Sequence, residues 1–202
     1  MNENVLNISK RDLDADGYYI GPVDVSELLD GSIEIAADLG WVKFKTSLRA
    51  RYKIRSQAGS GIEAGGGIKA GEGIEAGLGI KAGLGIEAGL GIKAGSGIEA
   101  GLGIEAGGGI KAGWGIKAGS GIEAGLGIEA GLGIEAGGGI KAGWGIKAGS
   151  GIEAKWILTP LRIFAGLCLW RLPNPEEMEI RGELRGGTIA HGTHVTTEEV
   201  TS

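Results

Sequence analysis

The sequence predicts an all-β protein, a single-stranded parallel β-solenoid with a cap at each end. Sixteen isoleucines recur every six residues from Ile62 to Ile152. Side-chain character alternates with period two through the repeat, the pattern of strands with one buried face. Glycine fills 44 of the 202 positions, about three times its usual share. A strand seldom runs more than about ten residues, so a repeat of this length must coil.

Residues 1–30 come first. They are acidic and irregular, with Asp12, Asp14, Asp16, Asp24, Glu27 and Asp30, and are read as an N-terminal cap. They hold no apolar core of signal-peptide length.

Residues 31–55 read as degenerate first coils. Val42, Phe44, Leu48, Ala50, Tyr52 and Ile54 take even positions, while Lys43, Lys45, Arg49, Arg51, Lys53 and Arg55 take odd ones. In a strand that alternation puts the basic residues on one outer side. Such a face suits a phosphate backbone or an acidic partner. It is equally suited to neutralisation by the acids of the N-terminal segment, Glu34 and Asp38 included.

Residues 56–154 are the perfect array, with the unit X-Gly-Ile-(Glu/Lys)-Ala-Gly. X is Ser, Gly, Glu, Leu or Trp, and residues 101–124 return identically as 131–154. A helix would scatter the isoleucines over three stripes, and each glycine inside it would cost about 1 kcal/mol. Collagen needs glycine at every third residue, whereas here the spacing alternates two and four. A disordered chain has no need of a strict aliphatic period. Coils of two hexads or of three hexads both fit. Stacking every third hexad makes 9 of 13 vertical Glu/Lys neighbours opposite in sign, and stacking every second makes 8 of 14.

Residues 155–202 read as a C-terminal cap. Ile163-Phe-Ala-Gly-Leu-Cys-Leu-Trp echoes the hexad, with Phe164 where the charge stood. Trp156, Phe164 and Trp170 then cover the last coil or face a second subunit. Strands are expected at Met178–Leu184 and Thr188–Val195, and a frayed tail after them.

The hexad resembles the hexapeptide repeat of left-handed parallel β-helices, in which an aliphatic residue precedes a small one by four positions. Leu78-Gly-Ile-Glu-Ala-Gly carries that pattern, and the resemblance covers about half the chain. It implies a left-handed triangular coil of three hexads, about 18 residues per turn. It also implies acyltransferase activity as one reading, since many members of that family use a histidine as general base. Here the array contains no histidine, and the chain has only His191 and His194. Three residues apart on a strand, they point to opposite faces. Two histidines also fall short of the three that the family's metal-dependent carbonic anhydrases use.

Formal charge is −5, which gives no electrostatic reason to bind nucleic acid or an anionic membrane directly. The longest apolar stretch, residues 156–170, is broken by Pro160 and Arg162, so no membrane-spanning helix is expected. The single cysteine, Cys168, allows no internal disulfide and fits a cytoplasmic protein. Gly-x-Gly comes with the repeat, and no phosphate loop ending in Gly-Lys-Ser/Thr accompanies it.

The sequence therefore points to a non-enzymatic scaffold or protein-interaction module without catalytic residues, metal or cofactor. Its partner is another protein or a second copy, met through a cap or a corner ridge. The candidate contacts are Lys43, Lys45, Arg49, Arg51, Lys53, Arg55, Trp114, Trp144, Trp156, Phe164 and Trp170. The X column is either core or an apolar ridge at the corners. A second reading is a charge-ladder mimic that inhibits a nucleic-acid-handling enzyme, of the phage or mobile-element anti-defence type. The third is the hexapeptide-type acyltransferase.

Overall fold

Each hexad of the array forms one short strand, Ile-(Glu/Lys)-Ala, from Ile68–Ala70 to Ile146–Ala148. Isoleucine and alanine point inward and the charge points out, so the burial pattern repeats as buried, exposed, buried. In the computed structural model, which describes residues 4–168 and 171–196, these strands wind into a parallel solenoid of about nine turns. Ile80 pairs with Ile98, and Ile98 with Ile116. The array therefore coils every 18 residues. With one strand per hexad, each coil has three faces.

Face I carries the column Lys43, Glu63, Lys81, Glu99, Lys117, Glu135, Glu153 and Arg181. Face II carries Arg49, Lys69, Glu87, Glu105, Glu123 and Lys141. Face III carries Glu34, Arg55, Glu75, Lys93, Lys111, Glu129, Lys147 and Phe164. Face III is a ten-stranded sheet, while the strand Ile152–Leu158 turns a corner and joins faces I and II into one sheet.

The interior is two stacked columns per face. The array isoleucines are 0–1 % exposed, and the alanines are buried beside them. The glycine that follows each alanine is required by contact between coils. A Cβ on Gly101 would lie 2.2 Å from the carbonyl oxygen of Gly83, and one on Gly119 would lie 2.1 Å from that of Gly101. From Gly61 to Gly151 no array glycine has a positive φ; Gly59, just before the regular hexads, has φ 73°. Close approach, not a left-handed turn, fixes this residue. The backbone ladder continues round the corner, with Gly101 N–H donating to Ala82 O at 3.0 Å and Leu102 N–H to Leu84 O at 3.2 Å.

The stack begins earlier than the boundary at residue 31. Val5–Ile8 pairs in parallel with Ser32–Ile35. Residues 17–31 complete that first coil, because Tyr18 bridges Lys43 and Leu29 bridges Ala50. The early coils are longer than those of the array, since Ile33 pairs with Ile54 and Ile54 with Ile74.

The C-terminal region also extends the stack. Ile146 pairs with Ile163, so the coil there is slightly shorter than in the array. Glu179–Leu184 then continues over Ile152–Leu158, Thr188–His191 over Arg162–Phe164, and Thr193–Val195 over Glu179–Leu184. Trp170 and residues 197–202 lie outside the described residues. Among the described residues, no helix is long and apolar enough to cross a membrane.

Candidate interaction surfaces

Apart from Ser60, which is buried at the start of the strand Ser60–Ala64, the X column lies at the corners and points outward. Leu84, Leu90, Leu102, Trp114, Leu126, Leu132 and Trp144 are 40–62 % exposed. X shares its parity with isoleucine and alanine, so a straight strand would bury it. The bend after the preceding glycine turns it out. The three ridges differ. The ridge before face I reads Ser60, Leu78, Ser96, Trp114, Leu132, and the ridge before face III reads Glu72, Leu90, Gly108, Leu126, Trp144. Trp114 and Trp144 therefore stand on different ridges.

Between each ridge and its charge column runs a trough floored by the glycine before isoleucine. On face I this floor is Gly79, Gly97, Gly115, Gly133 and Gly151, and the trough encloses about 790 Å³. The floor of face III runs through Gly73, Gly91, Gly109, Gly127 and Gly145. At two ends of the stack the protein fills its own trough. Trp41 stands in register with Gly61, and its indole lies along the coils below. A Cβ on Gly61 would meet the indole at 3.0 Å, and one on Gly79 at 2.8 Å. Trp156 stands in register with Gly139 on face II. Its indole lies back over that glycine, with the Arg185 guanidinium 5.0 Å from the ring centre. Trp41 was not among the sequence candidates. The signal is a tryptophan directly before the inward aliphatic Val42, where the array has glycine.

Opposite charges in these columns pair vertically, one full coil apart. Lys69–Glu87 and Lys141–Glu123 close to 2.6 Å, Lys117–Glu135 to 2.9 Å and Lys111–Glu129 to 3.0 Å. Lys147–Glu129 and Lys81–Glu99 are longer, at 3.4 and 3.7 Å. The hydrogen bond from Lys111 holds the Glu129 carboxyl below its ordinary range, helped by the charges of Lys111 and Lys147. The hydrogen bond to Glu135 raises the Lys117 ammonium. All these groups are largely exposed, and such pairs are worth about 0–1 kcal/mol each.

The basic residues 43–55 do not share one side. The alternation that places them outside the coil also carries them round it. Lys43, Arg49 and Arg55 sit on faces I, II and III. Lys45 and Arg51 take the corner positions stacked against Gly65 and Gly71. Most have partners. The ammonium groups of Lys43 and Lys45 lie 5.4 and 5.8 Å from the Tyr18 ring centre. Arg51 meets Asp30 at 2.9 Å, Lys53 meets Glu72 at 3.4 Å and Arg55 meets Glu75 at 3.4 Å. Of these three acids only Asp30 belongs to the acidic N-terminal segment; the others come from the next coil. Phe164 takes a charge-column position on face III, in register with Lys147 and His191.

The histidines occupy different faces. His191 Nδ1 lies 2.6 Å from Ala165 O, and His194 Nε2 lies 2.8 Å from Gly182 O. A carbonyl only accepts, so each of these nitrogens donates. Glu177 is held down to about 2, first by its hydrogen bonds from Arg171 and then by the Asn174 N–H. Among the described residues no three His, Cys, Asp or Glu groups are placed to hold a metal ion. Comparison with protein-family models, with curated proteins and with solved structures found no match to this chain.

Proposed function

We propose that the protein is a non-enzymatic β-solenoid scaffold that binds other protein surfaces, its own included, along its corner ridges and glycine troughs. The observation that carries this reading is the outward X column. Seven large apolar side chains stand 40–62 % exposed, shared among the three ridges of the stack, and exposed apolar surface beyond single scattered residues marks a contact site. The hexapeptide-repeat pattern supports the same reading, because it builds the body without inserting a loop into the array. Replacing both ridge tryptophans, Trp114→Ser with Trp144→Ser, leaves the interior columns untouched. The variant should keep its fold by circular dichroism and lose complexes seen by sedimentation of wild-type protein, alone or in host extract. Complexes of unchanged mass in the variant contradict the ridge reading.

A further inference from the structure

We infer that face I is a homotypic docking surface, on which two copies of this chain pack face to face with their solenoid axes antiparallel. The inference rests on the scaffold reading and names its partner.

The charge column of face I begins Lys43, Glu63, Lys81, Glu99, Lys117, Glu135, with signs that strictly alternate. An antiparallel two-fold axis between the third and fourth rungs lays this column on its own reverse. Lys81 then meets the partner's Glu99, Glu63 meets the partner's Lys117, and Lys43 meets the partner's Glu135. Each contact occurs twice, and every one joins opposite charges. A two-fold axis parallel to the solenoid sets each residue against itself, Glu99 on Glu99, and so repels. Faces II and III do not match as far. Glu87, Glu105 and Glu123 run together on face II, and Lys93 stands next to Lys111 on face III.

Shape agrees with charge in the same register. The face I ridge meets its own reverse, so Leu78 comes over Ser96, Leu132 over Gly40, and Trp114 over the rung of Ser60, whose own side chain is buried. A large side chain meets a small one or none each time. The trough is complementary too. Trp41 fills the floor over Gly61 and Gly79 and is still 40 % exposed. Those rungs face the partner's Gly115 and Gly97, where the floor is open. Each copy therefore supplies one indole and one empty trough to the other.

Six rungs at about 4.8 Å give a contact about 29 Å tall, and five residues across give a width of about 17 Å. The two surfaces together bury roughly 1,000 Å², the lower bound for a specific interface. The dimer is accordingly weak and salt-dependent.

The test is sedimentation equilibrium of the full chain at low salt with single charge reversals on exposed side chains. Wild type should dimerise, at least about tenfold more weakly at about 1 M salt, where the screening length falls to about 3 Å. Lys81→Glu alone and Glu99→Lys alone should each cut self-association at least about tenfold, since each sets like charges across the axis. An equimolar mixture of the two variants should regain the wild-type affinity, because every crossed pair is then opposite in sign. Single variants that dimerise as wild type does, or a mixture that stays monomeric, overturn this interface. They leave the scaffold reading standing as long as wild type assembles. Wild type that stays monomeric overturns the interface as well.

Discussion

The array and the terminal coils bury the same kind of interior but obey different rules outside it. Between Gly61 and Ala154 every coil is three hexads long, glycine fills both outer columns beside X, and no polar side chain is buried. The N-terminal coils are longer and bury Ser32, Ser56 and Ser60. They place Lys45 and Arg51 at corners where the array has Gly65 and Gly71, and Trp41 where it has Gly61. The inward branched and small columns are thus the general requirement. The corner glycine is a local one, imposed where a regular coil lies directly above. The trough glycine is the most permissive of the three, since a tryptophan replaces it at both ends.

That contrast is broken most sharply by exchanging the corner residues. Gly101→Arg forces a Cβ against the Gly83 carbonyl and should lower unfolding free energy by about 3 kcal/mol or more. Arg51→Gly removes only an exposed pair with Asp30 and should cost no more than about 1 kcal/mol. Urea denaturation compares the two directly, and equal losses refute the steric account of the corner.

A smaller effect separates the junction from the array. Ser60 Oγ donates to Ala36 O at 2.7 Å and accepts from Leu39 N–H at 3.0 Å. Ser60→Ala leaves both groups without that partner and should cost about 1–3 kcal/mol. Ile104→Val in the array removes one methylene from a column 1 % exposed and should cost about 0.5–1.5 kcal/mol. Ser60→Ala no worse than Ile104→Val in the same thermal scans contradicts a structural role for the buried serines.

The smallest expected effect is on pH dependence. Glu129 in the array and Glu177 in the C-terminal region both have folded-state carboxyls below the ordinary 4.5, Glu177 at about 2. A depressed carboxyl stabilises the fold above its unfolded value and loses that contribution as pH falls through the folded one. The melting temperature should therefore decline below pH about 4.5, and the Glu177 contribution should persist toward pH about 2. Glu129→Gln and Glu177→Gln should each flatten their part of that decline. An unchanged acid limb in both variants removes these pairs from the account.

Much of the body was legible in the sequence because its period is a direct record of the coil. Isoleucine at every sixth residue gave one strand per hexad, and parity separated inside from outside for Ile, Ala and the charges. Parity failed at X, because a corner reverses the direction of a side chain while leaving its number even. It failed again for Lys43 to Arg55, where consecutive outward residues pass round three faces. Trp41 was overlooked because its meaning depends on the glycine column beneath it, visible only once the coil length is known. Charge neighbours were too evenly divided to decide the coil length, but the hexapeptide-repeat resemblance implied 18 residues, which is what the structure has. That length is set by the backbone ladder, with Ile80 on Ile98.

The central claim, that the outer surface of this stack is built for association, is tested most directly by the solution mass of the intact chain. Sedimentation across a wide concentration range at low salt, and in extract of the host cell, should find species well above 20.5 kDa. A single species at the monomer mass under every one of those conditions contradicts the account.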